Sequence, residues 1–248
     1  MVDFSNIREG DFVEITLLVN RNKQSTGKVM LVLSSDPSET IVVLENGSKG
    51  KVIRIINSAD IIKERIMTET QHTENKENLI ENVMRQKVLP QTVQSFLNSD
   101  GGYLHIGIKD TGTLKERLVG LGPDFQKISG DESLTNDKLC DKFAREIMDC
   151  LWKYLVSDVP IGDLVELNFV HVDDVQILEI EIKKSQKPWF YRHLANSGKA
   201  KQFECTSQDG TKIRRHLDDF YIRDGAKKKL LETHKEVYDY IKEHFINK

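Results

Sequence analysis

The stretch Phe96-Leu97-Asn98-Ser99-Asp100-Gly101-Gly102-Tyr103-Leu104-His105-Ile106-Gly107-Ile108-Lys109-Asp110 decides the fold of this chain. It reads as the end of a helix, a glycine stop, a strand and an acidic turn. Glycine takes the left-handed conformation that caps a helix without steric cost, so Gly101-Gly102 ends the helix. Leu104, Ile106 and Ile108 then share one strand face, and Tyr103, His105 and Gly107 the other. Lys109-Asp110-Thr111-Gly112 closes the strand with a turn. A carboxylate just beyond a buried strand is a placement used by ligand-binding groups in α/β domains. It is also an ordinary turn.

Upstream, Leu79, Ile80, Val83, Met84, Val88, Leu89, Val93, Phe96 and Leu97 keep an apolar face at helical spacing. Pro90 begins a second helical piece there, since proline is tolerated only in a first turn. Downstream, Leu139, Phe143, Ile147, Leu151 and Leu155 stripe a helix from about Asn136 to Val156, which is core. Val165, Leu167 and Phe169 alternate into a turn at Asp173-Asp174, and Ile177, Leu178, Ile180 and Ile182 return as a hairpin. Leu230, Val237, Tyr238, Ile241 and Phe245 form a final amphipathic helix, packed on the domain or on a second copy, so a homodimer is a candidate assembly.

Ahead of this domain, residues from about Ile7 to Ile56 read as strands. Val13, Ile15, Leu17 and Val19 alternate, Lys28–Leu33 and Thr40–Leu44 follow, and Asn46-Gly47 turns into Lys51–Ile55. That is a small antiparallel β-barrel. The run from Asn57 to Asn78 is polar and weakly patterned. The expected organisation is therefore a barrel over 1–57, a linker or mobile segment over 58–78, and an α/β domain with a C-terminal helix over 79–248, an α+β chain overall.

With 248 residues, 38% hydrophobic and 30% charged, the chain can bury a full core. No run approaches the ~20 apolar residues of a membrane helix, and Met1-Val2-Asp3-Phe4-Ser5 lacks a signal-peptide pattern, so a cytoplasmic protein with no membrane partner is expected. Cys140, Cys150 and Cys205 form no CxxC pair, and buried thiols are expected rather than disulfides or a zinc site. The net charge of -3 is uneven. From Lys183 to Lys229 there are thirteen Lys or Arg against five Asp or Glu, a balance of +8 that leaves the remainder at -11. Lys183, Lys184, Lys187, Arg192, Lys201, Arg214, Arg215 and Arg223 are interleaved with Trp189, Phe190, Tyr191, Phe203, Phe220 and Tyr221. Cations along a backbone with aromatics for stacking suit single-stranded or structured RNA, with DNA a second candidate.

The run Ser95–Asp110, with Val119-Gly120-Leu121 after it, resembles the signature of the Alba-like nucleic-acid-binding domain of Schlafen proteins and related regulators. Ile182-Lys183-Lys184-Ser185-Gln186-Lys187-Pro188-Trp189-Phe190 is similar to that family's S-x-K-P strand end, and Phe220-Tyr221-Ile222-Arg223-Asp224-Gly225 to its later aromatic strand. The first fifty residues resemble the YwbE-like module, through Gly10–Ile15, Gln24–Lys28 and Val43–Val52. Schlafen-type domains that cut RNA use an E-x4-E-x-K pattern before the first helix and an aspartate after the glycine-stopped strand. Laid on this chain, those positions fall on Glu64, Glu69 and Asp110, with Gln71 where the lysine stands and Lys109 as its substitute; Glu74 and Glu77 are rival positions. Three carboxylates of this kind hold Mg2+ or Mn2+ through oxygen ligands. The resemblance thus implies an RNA-binding protein and candidate metal-dependent endoribonuclease acting on tRNA or rRNA. The alternatives are a non-catalytic nucleic-acid-binding regulator and a ribosome-associated scaffold.

Overall fold

A computed structural model describes residues 7–9, 11–36, 39–56, 58–81, 84–130, 133–192, 202–206, 212–216 and 219–246. The chain divides into two compact units, Met1–Glu64 and Arg65–Lys248.

In the first unit, β1 (Phe12–Leu17), β2 (Gln24–Asp36), β3 (Glu39–Leu44) and β4 (Lys49–Ile55) close an antiparallel barrel, as expected. Val13, Ile15, Val29, Val42, Leu44 and Val52 fill it. The Asn46-Gly47 turn forms as read: Gly47 takes φ 79°, and Asn46 Oδ1 accepts from Ser48 N at 2.9 Å. Val19 lies beyond the end of β1 and is 94% exposed, so it does not continue the buried face.

The segment expected as a linker, 58–78, holds a helix and a strand: α1 (Ser58–Met67), within which the two units divide, and β5 (Thr73–Lys76). After β5 come a π-helical turn, Met84–Val88, running into α2 (Leu89–Leu97) with Pro90 in its first turn, then β6 (Gly102–Ile106), α3 (Leu114–Arg117), α4 (Gly122–Ser129) and α5 (Asn136–Tyr154). Then follow β7 (Leu155–Val156), β8 (Val165–Val172), β9 (Val175–Ile182) and β10 (Phe190–Tyr191). The chain ends with β11 (Gln202–Thr206), β12 (Lys212–His216), β13 (Phe220–Asp224), β14 (Lys227–Leu231) and α6 (His234–Ile241).

The main sheet has the order β5-β6-β9-β8, with β5 parallel to β6 and the other pairs antiparallel. Leu104, Ile106, Leu178, Ile180 and Ile182 meet Val93, Phe96 and Leu97 of α2 and Phe143, Ile147 and Leu151 of α5 in one core. The β8–β9 turn falls at Asp173-Asp174, both at positive φ, as its residue types dictate. No helix among the described residues is long and apolar enough to cross a membrane.

The three sequence motifs are physically joined at the end of α2. Asn98, 1% exposed, donates to Trp189 O at 2.9 Å and Tyr221 O at 3.0 Å and accepts from Trp189 N at 2.8 Å. Gln94 Nε2 donates to Trp189 O and Asp219 O at 2.7 and 2.9 Å. Ser185 Oγ accepts from Trp189 Nε1 at 3.0 Å, and Ser99 Oγ accepts from Arg223 N at 2.8 Å. The glycine stop is required by space as well as angle. Gly101 has φ 74°, and a Cβ there would lie 2.5 Å from Ile182 O.

Candidate functional site

Strand β5 organises the site. Its four residues, Thr73-Glu74-Asn75-Lys76, include no apolar side chain, yet the first three are buried. Alternation turns Glu74 and Lys76 to one face of the sheet and Thr73 and Asn75 to the other, and each pair is satisfied differently.

On the first face, Glu74 is gripped by two cations. Arg223 Nη1 donates to its Oε2 at 2.7 Å, and Lys76 Nζ lies 2.7 Å from its Oε1. Burial pushes the Glu74 carboxyl up, but the Lys76 ammonium and then the Arg223 guanidinium outweigh it and hold it below the usual range. Arg223, with its side chain fully buried, also donates to Thr70 O at 2.9 Å and lies 4.6 Å over the Phe96 ring. It therefore positions Glu74, and its charge is not presented at the surface as the sequence had suggested.

On the second face, Asn75, His105 and Glu179 stand directly opposite one another across β5, β6 and β9. His105 is fully buried; its Nδ1 is 3.1 Å from Asn75 Oδ1 and its Nε2 3.0 Å from Glu179 Oε2. Asn75 Nδ2 donates to Ile66 O at 3.1 Å, which leaves Oδ1 as the acceptor facing the ring. Both ring nitrogens thus face acceptors. Arg65 adds a bond to Glu179 Oε2 at 3.1 Å while its guanidinium sits 3.5 Å over the Tyr103 ring. Burial raises the Glu179 carboxyl, and His105 and Arg65 together hold it below its ordinary value.

Of the expected carboxylates, Glu64 is an exposed residue of α1 in the first unit. Glu69 is half-buried and its Oε1 accepts from Asn75 N at 2.8 Å. Asp110 is exposed in the turn after β6. Arg117, 4% exposed, ties the latter two segments together, donating from Nε to Lys109 O at 2.9 Å and from Nη1 to Met67 O at 2.6 Å. Lys109 Nζ lies 3.7 Å from Glu77. Among the described residues no three His, Cys, Asp or Glu are placed to hold a metal ion.

Of the expected nucleic-acid contacts, Lys183, Lys187 and Arg192 are exposed, while Lys184 is half-buried and 2.6 Å from Asp100. His72, Asp100, Tyr103, Glu181, Lys183 and Lys184 line an open cleft of about 330 Å³. Lys201 lies outside the described residues. Arg214 and Arg215 are described only as backbone of β12, paired with Glu204 and Phe203 of β11.

Lys76, His105 and Glu179 were missed by sequence reasoning. For Lys76 a signal existed: the E-x4-E-x-K spacing recurs five residues downstream of its first placement, at Glu69, Glu74 and Lys76. No comparable signal marks the His105 row, which only strand register creates.

A family model described as Schlafen, AlbA_2 matches residues 69–232. Among curated proteins no match is found. Among solved structures, the DIP2311 protein from Corynebacterium diphtheriae is similar over 70% of this chain at 14% identity with a TM-score of 0.36, and the chain spans 27% of that protein's chain.

Proposed function

Because this chain belongs to the Schlafen, AlbA_2 family, we propose that it is a cytoplasmic RNA-binding protein acting on structured RNA such as tRNA or rRNA. The observation that carries the reading is the family match, extending from Glu69 to Glu232 and so including both the β5 site and the basic segment. Exposed Lys183, Lys187 and Arg192 supply cations for phosphate contacts, and Tyr103 supplies a ring beside Lys183 in the cleft. Fluorescence anisotropy with a labelled tRNA, a single-stranded RNA and a DNA duplex across a salt series tests it. Tight RNA binding that weakens steeply with salt is expected. Failure to bind any RNA at low salt overturns it.

A second reading, endoribonuclease activity, is favoured by the spacing of Glu69, Glu74 and Lys76 and by the Arg117 link between the Glu69 and Asp110 segments. In this register Glu74 and Lys76 join Glu69 and Asp110 as the candidate site, and Glu64 falls outside it. The Mg2+ or Mn2+ expected with three carboxylates does not fit these side chains as placed. Both Glu74 oxygens are engaged by cations, and no three ligands converge among the described residues. Incubation of tRNA with Mn2+ separates the readings: cleavage abolished by Glu74→Gln supports the nuclease, and cleavage undiminished in that variant removes Glu74 from the site.

A further inference from the structure

The free edge of the main sheet is unguarded. Strand β8, Val165-Glu166-Leu167-Asn168-Phe169-Val170-His171-Val172, pairs with β9 along its whole length without a bulge. Lys183 N donates to Leu164 O at 2.8 Å, which sets the phase of the ladder and gives β9 the even-numbered residues of β8. Val165, Leu167, Phe169 and His171 therefore turn their N–H and C=O groups outward. Among the described residues none of these groups has a hydrogen-bond partner. The edges at β5 and β14 are defended. At β5, Asn75 N donates to Glu69 Oε1 at 2.8 Å and Thr73 exchanges backbone bonds with Thr70, while β14 carries Lys227, Lys228 and Lys229. Strand β8 has no lysine, proline or bulge, the features by which a sheet refuses a further strand.

The side chains of β8 suit a second copy of the same strand. Val165 lies in the core, and Leu167 and Phe169 pack against it only half-buried. An antiparallel copy centred on Asn168 sets Leu167 beside the partner's Phe169, and the reverse, covering both. It also sets Val165 against His171 and Glu166 against Val170, so no like charges meet. Asn168 then falls on the twofold axis, opposite itself. It is half-buried, and no described residue bonds its amide. An amide both donates and accepts, so two amides related by a twofold satisfy each other, which two carboxylates or two ammonium groups cannot do. That self-complementarity favours a second copy over a foreign strand.

We propose that two copies of this chain associate through β8, antiparallel and centred on Asn168, to form one sheet of order β5-β6-β9-β8-β8-β9-β6-β5. The proposal stands apart from the RNA-binding reading. A twofold axis perpendicular to the joined sheet keeps like faces together, so both copies of Tyr103 and Glu181, cross-strand neighbours that line the cleft, lie on one face. Glu181 stands opposite Glu166, one strand beyond the joined edge. At about 4.8 Å between strands and about 3.4 Å per residue, the two Glu181 positions are about 20 Å apart. The assembly thus presents two clefts side by side.

Analytical ultracentrifugation of the full chain across a concentration series, combined with amide hydrogen exchange, tests this. The mass should double from 28.5 kDa as concentration rises. The Leu167, Phe169 and His171 amides should exchange fast in the monomer and slowly in the dimer, whereas Asn168 and Val170, bonded to β9, should be protected in both. Asn168→Asp and Asn168→Lys each set like charges across the axis and should weaken self-association roughly tenfold or more, and mixing the two variants should restore it. His171→Pro removes an outward N–H that the fold does not use, and should weaken association while the monomer still folds. It carries the test if an Asn168 variant fails to fold. A wild type that stays monomeric at every concentration overturns the proposal. So does a dimer whose outward β8 amides exchange fast, or one that the folded variants leave undiminished.

Discussion

Replacing Arg223 by Met keeps the aliphatic stem over Phe96 and removes the charge, which isolates what the guanidinium does for Glu74. The side chain gives up a charge-assisted bond to Glu74 at 2.7 Å, worth about 1.5–3 kcal/mol. It also gives up a bond to Thr70 O at 2.9 Å and a cation–π contact, together about 1–2 kcal/mol. Lys76 remains beside the carboxylate and limits the damage, so the expected loss is about 3 kcal/mol at pH 7. Urea unfolding followed by tryptophan fluorescence reads it, because Trp189 is 2% exposed and Trp152 is already 58% exposed. The sign of the pH dependence follows from Glu74, whose carboxyl is held low in the fold. Its stabilisation is complete above the unfolded value of about 4.3 and is lost as pH falls through the folded value. Without Arg223 the folded value rises, so the difference between wild type and Arg223→Met should be largest near neutrality and shrink in acid. Adding Glu74→Gln should recover part of the loss, with a coupling of about 2 kcal/mol. A loss under about 1 kcal/mol at neutrality, or one independent of pH, refutes the reasoning.

Three further outcomes are expected. Asn98→Leu leaves the buried Trp189 N and one of two Tyr221 and Trp189 carbonyl contacts unmet, and should cost about 2–4 kcal/mol in the same unfolding assay. Gly101→Ala forces a side chain against Ile182 O at positive φ, and should lower Tm sharply or abolish soluble expression. Changing Lys183, Lys187 and Arg192 together to Ala should flatten the salt dependence of RNA binding by about two units of log K against log salt if each contacts one phosphate of a single strand, and unchanged slopes in anisotropy titrations would remove them from the interface.

Elements with a buried apolar stripe were legible in the sequence. The α5 stripe buries Phe143, Ile147 and Leu151, and the glycine stop and the Asp173-Asp174 turn form where residue type demands them. Strand β5 was not legible for a physical reason. Periodicity detects burial through apolar residues, whereas Thr73, Glu74 and Asn75 are buried through polar contacts, with the Thr68 and Ile66 carbonyls nearby and with His105 and Arg223 far along the chain. Without that strand the E-x4-E-x-K spacing has no structural anchor in the sequence, and the placement that begins at Glu64 puts Gln71, not Lys76, at the lysine position. The His105 row was invisible for a related reason: its members lie 30 and 74 residues apart and meet only through register.

The same distinction applies to charge. A sequence count credits every Lys and Arg between Lys183 and Lys229 equally, but their environments divide them. Arg223 is engaged by Glu74, Lys184 by Asp100, and Lys229 lies 3.5 Å from Asp224. A cation already paired with a carboxylate has exchanged its counterion within the fold, so it releases little on meeting a phosphate. Lys183, Lys187 and Arg192, exposed and outside those pairs, are cations whose counterions a bound nucleic acid would displace. Arg223→Met should therefore act on stability, and loss of the exposed three on the salt dependence of binding.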